Sequence, residues 1–402
     1  MNSASEQIPL SRPDLTELEV AEVLSVLRTP ALSMGPKLRE FEERMAVLLG
    51  VRHAIAVSSG TAGLHLAVRA TGINEGEEVI TTPFSFVASS NVLLFERAFP
   101  VFVDVDDRTL NLSAERVEET IERQYVRTGR GLVNRDTGRR LAGLLPVDVF
   151  GHPVDIAGFR SLAERYDLRL IEDSCEALGS ELYSEALGAW TKVGSLADIA
   201  VFAFYPNKQM TTGEGGLVVT NDAILAARCR AGRNQGRAEG SAWLEHVVLG
   251  FNYRLDELSA ALGVAQLKRF DDLVRKRRRV ARLYEGALGP IEELRLPVVE
   301  PWARVNWFVY VVRVDGDVDR DALSQFLAQR GIENRVYFPP IHLQPFYRNR
   351  FGYQEGAFPV CEAAGRTTLA LPFFNDLTQE QVERVAGALR EGVHACAKAR
   401  RA

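Results

Sequence analysis

Seven short apolar segments punctuate the first half of the chain: "HAIAV" (53–57), "EVITT" (78–82), "PVFVDV" (100–105), "LLPVDVF" (144–150), "LRLIED" (168–173), "DIAVFAF" (198–204) and "GLVVT" (216–220). Helical patterns alternate with them. After the first, for example, Leu64, Ala67 and Val68 share one face and Gly72 ends the pattern. Strands apolar along their whole length need cover on both faces, and parallel neighbours need crossover connections. The rhythm therefore predicts an α/β fold: a mostly parallel sheet flanked by helices. Such a sheet binds ligands outside the carboxyl ends of its strands.

The flanking regions read as helices with clear stops. "TELEVAEVLSVL" opens with a capping box, Thr16 with Glu19, and continues with Val20, Val23, Leu24 and Leu27 at helical spacing. "GPKLREFEERMAVLLG" has Pro36 suited to a first turn and Leu38, Phe41, Met45 and Leu48 on one face. From about Gly250 a long helical stretch, with Leu255, Leu258, Leu262, Ala265 and Phe270 as buried positions, leads into a short α+β region and a final helix capped by Thr378 and Gln381. The expected division is a large domain over 1–255 and, over 256–402, an inter-domain helix with a small C-terminal α+β domain. Within the large domain, residues 121–143 interrupt the rhythm with six arginines and four glycines. That segment reads as a solvated excursion with a hairpin around Asn134 to Gly138, or as a phosphate or partner contact.

Composition excludes several classes. With 402 residues, 46% of them hydrophobic, and a formal net charge of −5, the chain can bury a large core and shows no basic footprint for nucleic acid. No apolar run approaches the ~20 residues of a membrane helix. The N-terminus lacks a secretory pattern, and four scattered cysteines show no paired spacing. A soluble cytoplasmic protein is expected. Six histidines show no metal-ligand spacing, so no metal is expected, and His152 and His246 read as hydrogen-bonded structural residues. The basic run "RKRRR" (275–279) reads as a solvated helix face flanked by Asp271, Asp272 and Glu285.

Three local features lie at strand ends. Ser59, Gly60, Thr61 and Ala62 open a helix, where free N–H groups and a hydroxyl can hold a phosphate; a tight turn without ligand would use the same residues. "LRLIED" ends in Glu172 and Asp173, which alternate in direction, so one of them faces the strand-end crevice. Lys208 sits between "ADIAVFAF" and "GLVVT" in a loop with Pro206, Gly213, Gly215 and Gly216; a surface lysine on a β-turn is the plain alternative. A phosphate cradle, a strand-end acid and a loop lysine together describe pyridoxal phosphate binding. Phe86 in "TTPFSFVASSN" is the candidate to stack on the ring, with a core phenylalanine as its alternative.

With "SSGTAGL", "TPFSFVASSN", "IEDSCEALGS", "FYPNKQMTTGEGG" and "GFNYRLDELSAALGVAQL" in that order, the chain from about residue 8 to 390 resembles the DegT/DnrJ/EryC1/StrS family of pyridoxal-phosphate-dependent sugar aminotransferases of fold type I. The resemblance implies a seven-stranded, mostly parallel sheet in the large domain. It implies that Lys208 carries the internal aldimine and Asp173 pairs with the pyridinium nitrogen. Ser59, Gly60, Thr61 and Ala62 would hold the phosphate, Phe86 would stack, and Glu176 would stand near the cofactor. Asn252 would reach the phosphate of a neighbouring subunit in a homodimer. Arg254, Tyr337 and His342 would line the substrate cleft. The implied reaction moves an amino group from an amino acid, usually L-glutamate, through the pyridoxamine phosphate form to a nucleotide-linked keto-deoxysugar.

Ala203 departs from the family pattern, which often has a phosphate-contacting serine there. Lys208 argues against the dehydratase branch, which has histidine in its place. Amination of a keto-cyclitol, or a regulatory protein that binds the cofactor without turnover, are the competing readings.

Overall fold

The computed structural model describes residues 7–397 apart from 239, 241 and 243, so the outermost ends of both expected domain ranges lie outside the described residues. The seven apolar segments form one sheet: β1 (His53–Val57), β2 (Glu78–Thr81), β3 (Phe99–Phe102), β4 (Leu141–Leu145), β5 (Arg169–Asp173), β6 (Ile199–Ala203) and β7 (Gly216–Thr220). Their spatial order is β1-β7-β6-β5-β4-β2-β3. From β6 across to β3 every neighbour runs parallel, while β7 runs antiparallel to both β6 and β1. Both faces are covered, as uninterrupted apolar strands require. Val57, Val201 and Val218 pack with Leu64, Ala67 and Val68 of the helix Gly60–Ala70. On the other face Phe202, Leu217 and Val219 pack with Phe41, Met45 and Val264.

A second core surrounds a small antiparallel sheet of Leu294–Arg295, Tyr310–Val314 and Thr368–Leu371. The long helix Phe270–Leu288 spans both cores: Leu273 belongs to the first, whereas Val280, Tyr284 and Leu288 belong to the second. The change of core thus falls within this helix.

Three expectations are corrected in detail. The helix Glu17–Leu27 has its capping box, yet Val20, Leu24 and Leu27 are exposed by 47%, 46% and 58%. Glu19 is buried instead, because its carboxylate accepts from the Thr16 N–H and hydroxyl and from Gln266 Nε2. Residues 121–143 form a hairpin (Tyr125–Thr128 with Gly131–Asn134) followed by the expected turn at Asn134–Gly138. The base of this excursion is tied to β2, since buried Glu78 accepts from Tyr125, Asn134 and Thr137. The basic run is only partly solvated: Lys276 pairs with Asp14, Asp272 and Asp376, and Arg277 is buried.

Two buried carboxylates shape the large domain. Glu257 opens the helix Glu257–Lys268 and accepts from the N–H groups of Gly35, Lys37 and Leu38 at 2.8, 2.8 and 2.9 Å, capping the helix Pro36–Leu49 from afar. On the far side of β5 from Asp173, Glu172 lies against Asp148 in full burial. Both Glu172 oxygens and Asp148 Oδ2 lack a donor in ordinary hydrogen-bond geometry, although the Gly194 N–H and the Ser174 hydroxyl act on the pair, so a proton shared between the two carboxyls would satisfy them. Burial raises Glu172 well above the carboxylate range and Asp148 to about 7, each helped by the charge of the other or of Asp173.

Replacing Glu257→Ala orphans three amides, two of them buried, and is expected to lower the unfolding free energy by about 2–4 kcal/mol in urea titration, with Glu257→Gln losing less. For Asp148 the raised folded pKa makes its contribution full below the unfolded value of about 4 and lost as pH rises through about 7. Asp148→Asn is therefore expected to reduce the fall in unfolding free energy between about pH 5 and pH 8 by roughly 1–3 kcal/mol. Equal pH slopes for the two proteins would refute the shared proton.

Candidate active site

The parallel pairing of β5 with β6 sets Val201 opposite Asp173, so both strands end at one edge. Asp173 is 4% exposed there. Its Oδ2 accepts from Ser89 Oγ at 2.6 Å and its Oδ1 from the Cys175 N–H at 3.1 Å, which fixes the carboxylate in place. Glu172, one residue back, points to the opposite face as strand alternation demands. Past β6 the chain folds back on itself: Lys208 N–H donates to Tyr205 O, and Thr212 N–H to Phe204 O. The Lys208 side chain turns inward, only 13% exposed, with Nζ 3.5 Å from Glu176 Oε1 and 3.8 Å from the centre of the Phe308 ring. A surface lysine on a turn is thereby set aside.

At the end of β1 the helix Gly60–Ala70 begins, capped by Ser59 Oγ, which accepts from Ala62 N–H at 3.1 Å. The N–H groups of Gly60 and Thr61 have no acceptor within the helix, which leaves an anion site backed by the helix dipole. A Cβ on residue 60 would stand 2.7 Å from Ala203 Cβ and 3.1 Å from Cys175 Sγ. Glycine there lets the helix end approach the ends of β6 and β5 closely. Ala203, where the family often has serine, is the wall of that contact.

Glu176 connects the lysine to the neighbouring loop. Its Oε2 accepts from Phe150 N–H at 2.8 Å, and Phe150 holds a left-handed φ of 59°, uncommon for a bulky residue. Phe84 and Phe338 pack around that phenylalanine. Burial raises the Glu176 carboxyl above its usual range, and the Lys208 ammonium pulls it back. Tyr337 stacks on Phe338 at 5.0 Å, and the charge of Glu176 adds to the burial that raises its hydroxyl, so Tyr337 borders the site.

The remaining candidates divide. Phe86 is 61% exposed on the loop after β2. Arg254 bridges to Val57 at the end of β1 and donates to Asn234 Oδ1 at 3.1 Å, while Asn252 is exposed. His342 is a correction: it is fully buried, with Nε2 3.1 Å from Glu362 Oε1 and its ring against Phe358, so its side chain does not open onto the cleft. Ser89, Phe150 and Phe308 enter the site without having been singled out. Ser89 stood in the "TPFSFVASSN" motif, whereas Phe308 lay in a stretch read only as strand.

A buried lysine, a fixed carboxylate and an open helix N-terminus match the aldehyde, ring nitrogen and phosphate of pyridoxal phosphate, so the residues present fit the cofactor that the motifs imply.

Comparison with known proteins agrees. The model of the DegT/DnrJ/EryC1/StrS aminotransferase family matches residues 13–390. The chain is 32% identical to the spore coat polysaccharide biosynthesis protein SpsC of Bacillus subtilis, covering 96% of each. Among solved structures it is similar to Helicobacter pylori PseC, an aminotransferase involved in the biosynthesis of pseudoaminic acid (28% identity, TM-score 0.87, covering 97% of this chain and 100% of that one). It is also similar to DesI, solved in the presence of its TDP-sugar product (30% identity, TM-score 0.84, covering 97% and 94%). The chain belongs to the DegT/DnrJ/EryC1/StrS aminotransferase family, which depends on pyridoxal phosphate.

Proposed function

We propose that this aminotransferase moves the amino group of L-glutamate to the keto carbon of a nucleotide-linked deoxysugar, making an amino sugar for a polysaccharide, glycan or secondary metabolite. The observation that carries the reading is the inward-turned Lys208 ammonium, set between Glu176 and Phe308 at the strand edge that also holds Asp173. The similarity to PseC, SpsC and DesI supports the sugar as acceptor.

When bound, pyridoxal phosphate supplies an electron sink that makes a proton on the donor's α-carbon removable. Ser59, Gly60, Thr61 and Ala62 would hold the phosphate at the helix end. Asp173, kept from rotating by Ser89 and the Cys175 N–H, would hold a proton on the ring nitrogen. Phe86 would cover one ring face. Lys208 Nζ, once its ammonium has given up a proton, would take up the proton released from the donor's α-carbon and return it during the transfer, while Glu176 holds the lysine within reach. A cleft of about 750 Å³ opens beside Phe86, with Asn91, Gln344 and Arg350 as polar groups and Phe95 and Phe346 as aromatic walls. Most of its lining is apolar, and Lys208 and Asp173 are not part of it, so it offers room beside the lysine site rather than the site itself.

A second copy completes the proposed site through Asn252. Exposed Val20, Leu24 and Leu27, together with Val247, Val248 and Leu249 near Asn252, support an interface between copies.

With L-glutamate alone, wild-type protein loaded with cofactor is expected to release one equivalent of 2-oxoglutarate per site. Lys208→Ala should release none, and Asp173→Asn should be slowed by about 10²-fold or more. Retention of the wild-type rate by Asp173→Asn would refute the ring-nitrogen role. Subunit mixing tests Asn252: Lys208→Ala and Asn252→Ala should each be impaired alone, yet an equal mixture should recover about a quarter of wild-type activity, since each mixed dimer regains one intact site. No recovery after subunit exchange would place Asn252 in its own subunit's site.

A further inference from the structure

The basic run 275–279 contains one arginine that faces inward. Arg277 is 4% exposed and lies on the same side of its helix as Leu273, Val280 and Tyr284. Among the described residues no carboxylate forms an ion pair with it. Asp14, the one acid whose charge favours it, is already engaged by Arg269 and Lys276, and burial pulls Arg277 down to about 10. Its bonds go to main-chain carbonyls. Nη1 donates to Trp307 O at 3.2 Å and Phe308 O at 3.1 Å, and Nη2 donates to Lys208 O at 2.7 Å and Asn207 O at 3.5 Å.

Those four carbonyls belong to two segments far apart in sequence, the lysine loop and the crossing between the two cores. The segments carry the two side chains that meet at the site, Lys208 Nζ and the Phe308 ring, 3.8 Å apart. Gln209 makes a second tie between them by donating to Asn306 O at 2.8 Å and to Glu176 O. A guanidinium is planar and rigid, so bonding both segments at once fixes the spacing of their backbones. An ammonium is a point charge on a flexible stem and cannot span both pairs of carbonyls. A solitary buried cation is costly to keep, and here its donors go to the lysine loop rather than to an acid.

We propose that Arg277 is a positioning residue: it holds the Lys208 loop against the Trp307–Phe308 segment so that Nζ, having given up one proton of its ammonium, stands where it can add to the carbon of the cofactor's aldehyde, whose oxygen leaves as water. This rests on the proposed role of Lys208. The inference concerns attachment and leaves binding aside, because the phosphate cradle at Gly60 and the carboxylate of Asp173 do not touch Arg277.

The test uses full-length apoprotein and two probes. Pyridoxal phosphate reports attachment, with the covalent lysine adduct trapped by borohydride at timed intervals. Pyridoxamine phosphate has the same ring and phosphate but no aldehyde, and reports binding alone. Arg277→Lys and Arg277→Ala are expected to slow attachment by about tenfold or more while pyridoxamine phosphate affinity stays within about threefold. Ethylguanidinium at concentrations too low to unfold the protein should restore the Arg277→Ala rate and leave wild type unchanged. Attachment within about twofold of wild type in Arg277→Lys would overturn the proposal, as would parallel loss of attachment and pyridoxamine phosphate affinity. If Arg277→Ala does not fold, Arg277→Lys decides alone. Wild-type protein that binds pyridoxamine phosphate but never attaches pyridoxal phosphate would refute the role of Lys208 itself, a result distinct from failure of the Arg277 proposal.

Discussion

The parallel ladder between β5 and β6 is the constraint on which the site depends. It brings Asp173 and the exit of β6 to the same edge of the sheet, so a loop only a few residues long can return a lysine toward the acid. The antiparallel insertion of β7 between β6 and β1 adds the third component. Ala203 and Val57 both sit opposite Gly216, which carries the end of β1, and hence the start of the helix Gly60–Ala70, to the lysine loop. Glycines at 60 and 216 permit this approach. A Cβ on residue 216 would stand 2.4 Å from Ser59 O.

Charge inside this region is managed group by group. Lys208 shares its surroundings with Glu176, and Asp173 is held by a hydroxyl and an amide rather than by a cation. Burial favours the protonated form of Glu172 and Asp148, which spares the pair a second buried charge, and Arg277 offsets its burial with carbonyls. In a low-dielectric setting each arrangement fixes geometry as well as charge, because a misplaced partner leaves a buried group unsatisfied. The site is thereby built into the packing of both cores.

Much of this was legible in the chain because the signals are local. Apolar runs mark the seven strands: Asp173 ends one of them, and Ser59 to Ala62 and Lys208 lie in the short stretches after two others. What escaped depends on long-range contacts. The resemblance places His342 at the cleft, but Glu362, twenty residues on, draws its side chain inward. Val20, Leu24 and Leu27 keep helical spacing and yet face outward, since Gln266 claims the other side of their helix through Glu19. The run "RKRRR" reads as solvated because charge composition does not tell which member faces the core. Helical period does, as 273, 277, 280 and 284 fall on one side and are all buried.

Reduction of the cofactor-loaded protein with borohydride, followed by peptide mass mapping, tests the site most directly. A single pyridoxyl group on the peptide containing Lys208, and on no other lysine, is the predicted result. A label on a different lysine, or a bound cofactor that leaves Lys208 unmodified, would contradict the assignment of this strand edge as the catalytic centre.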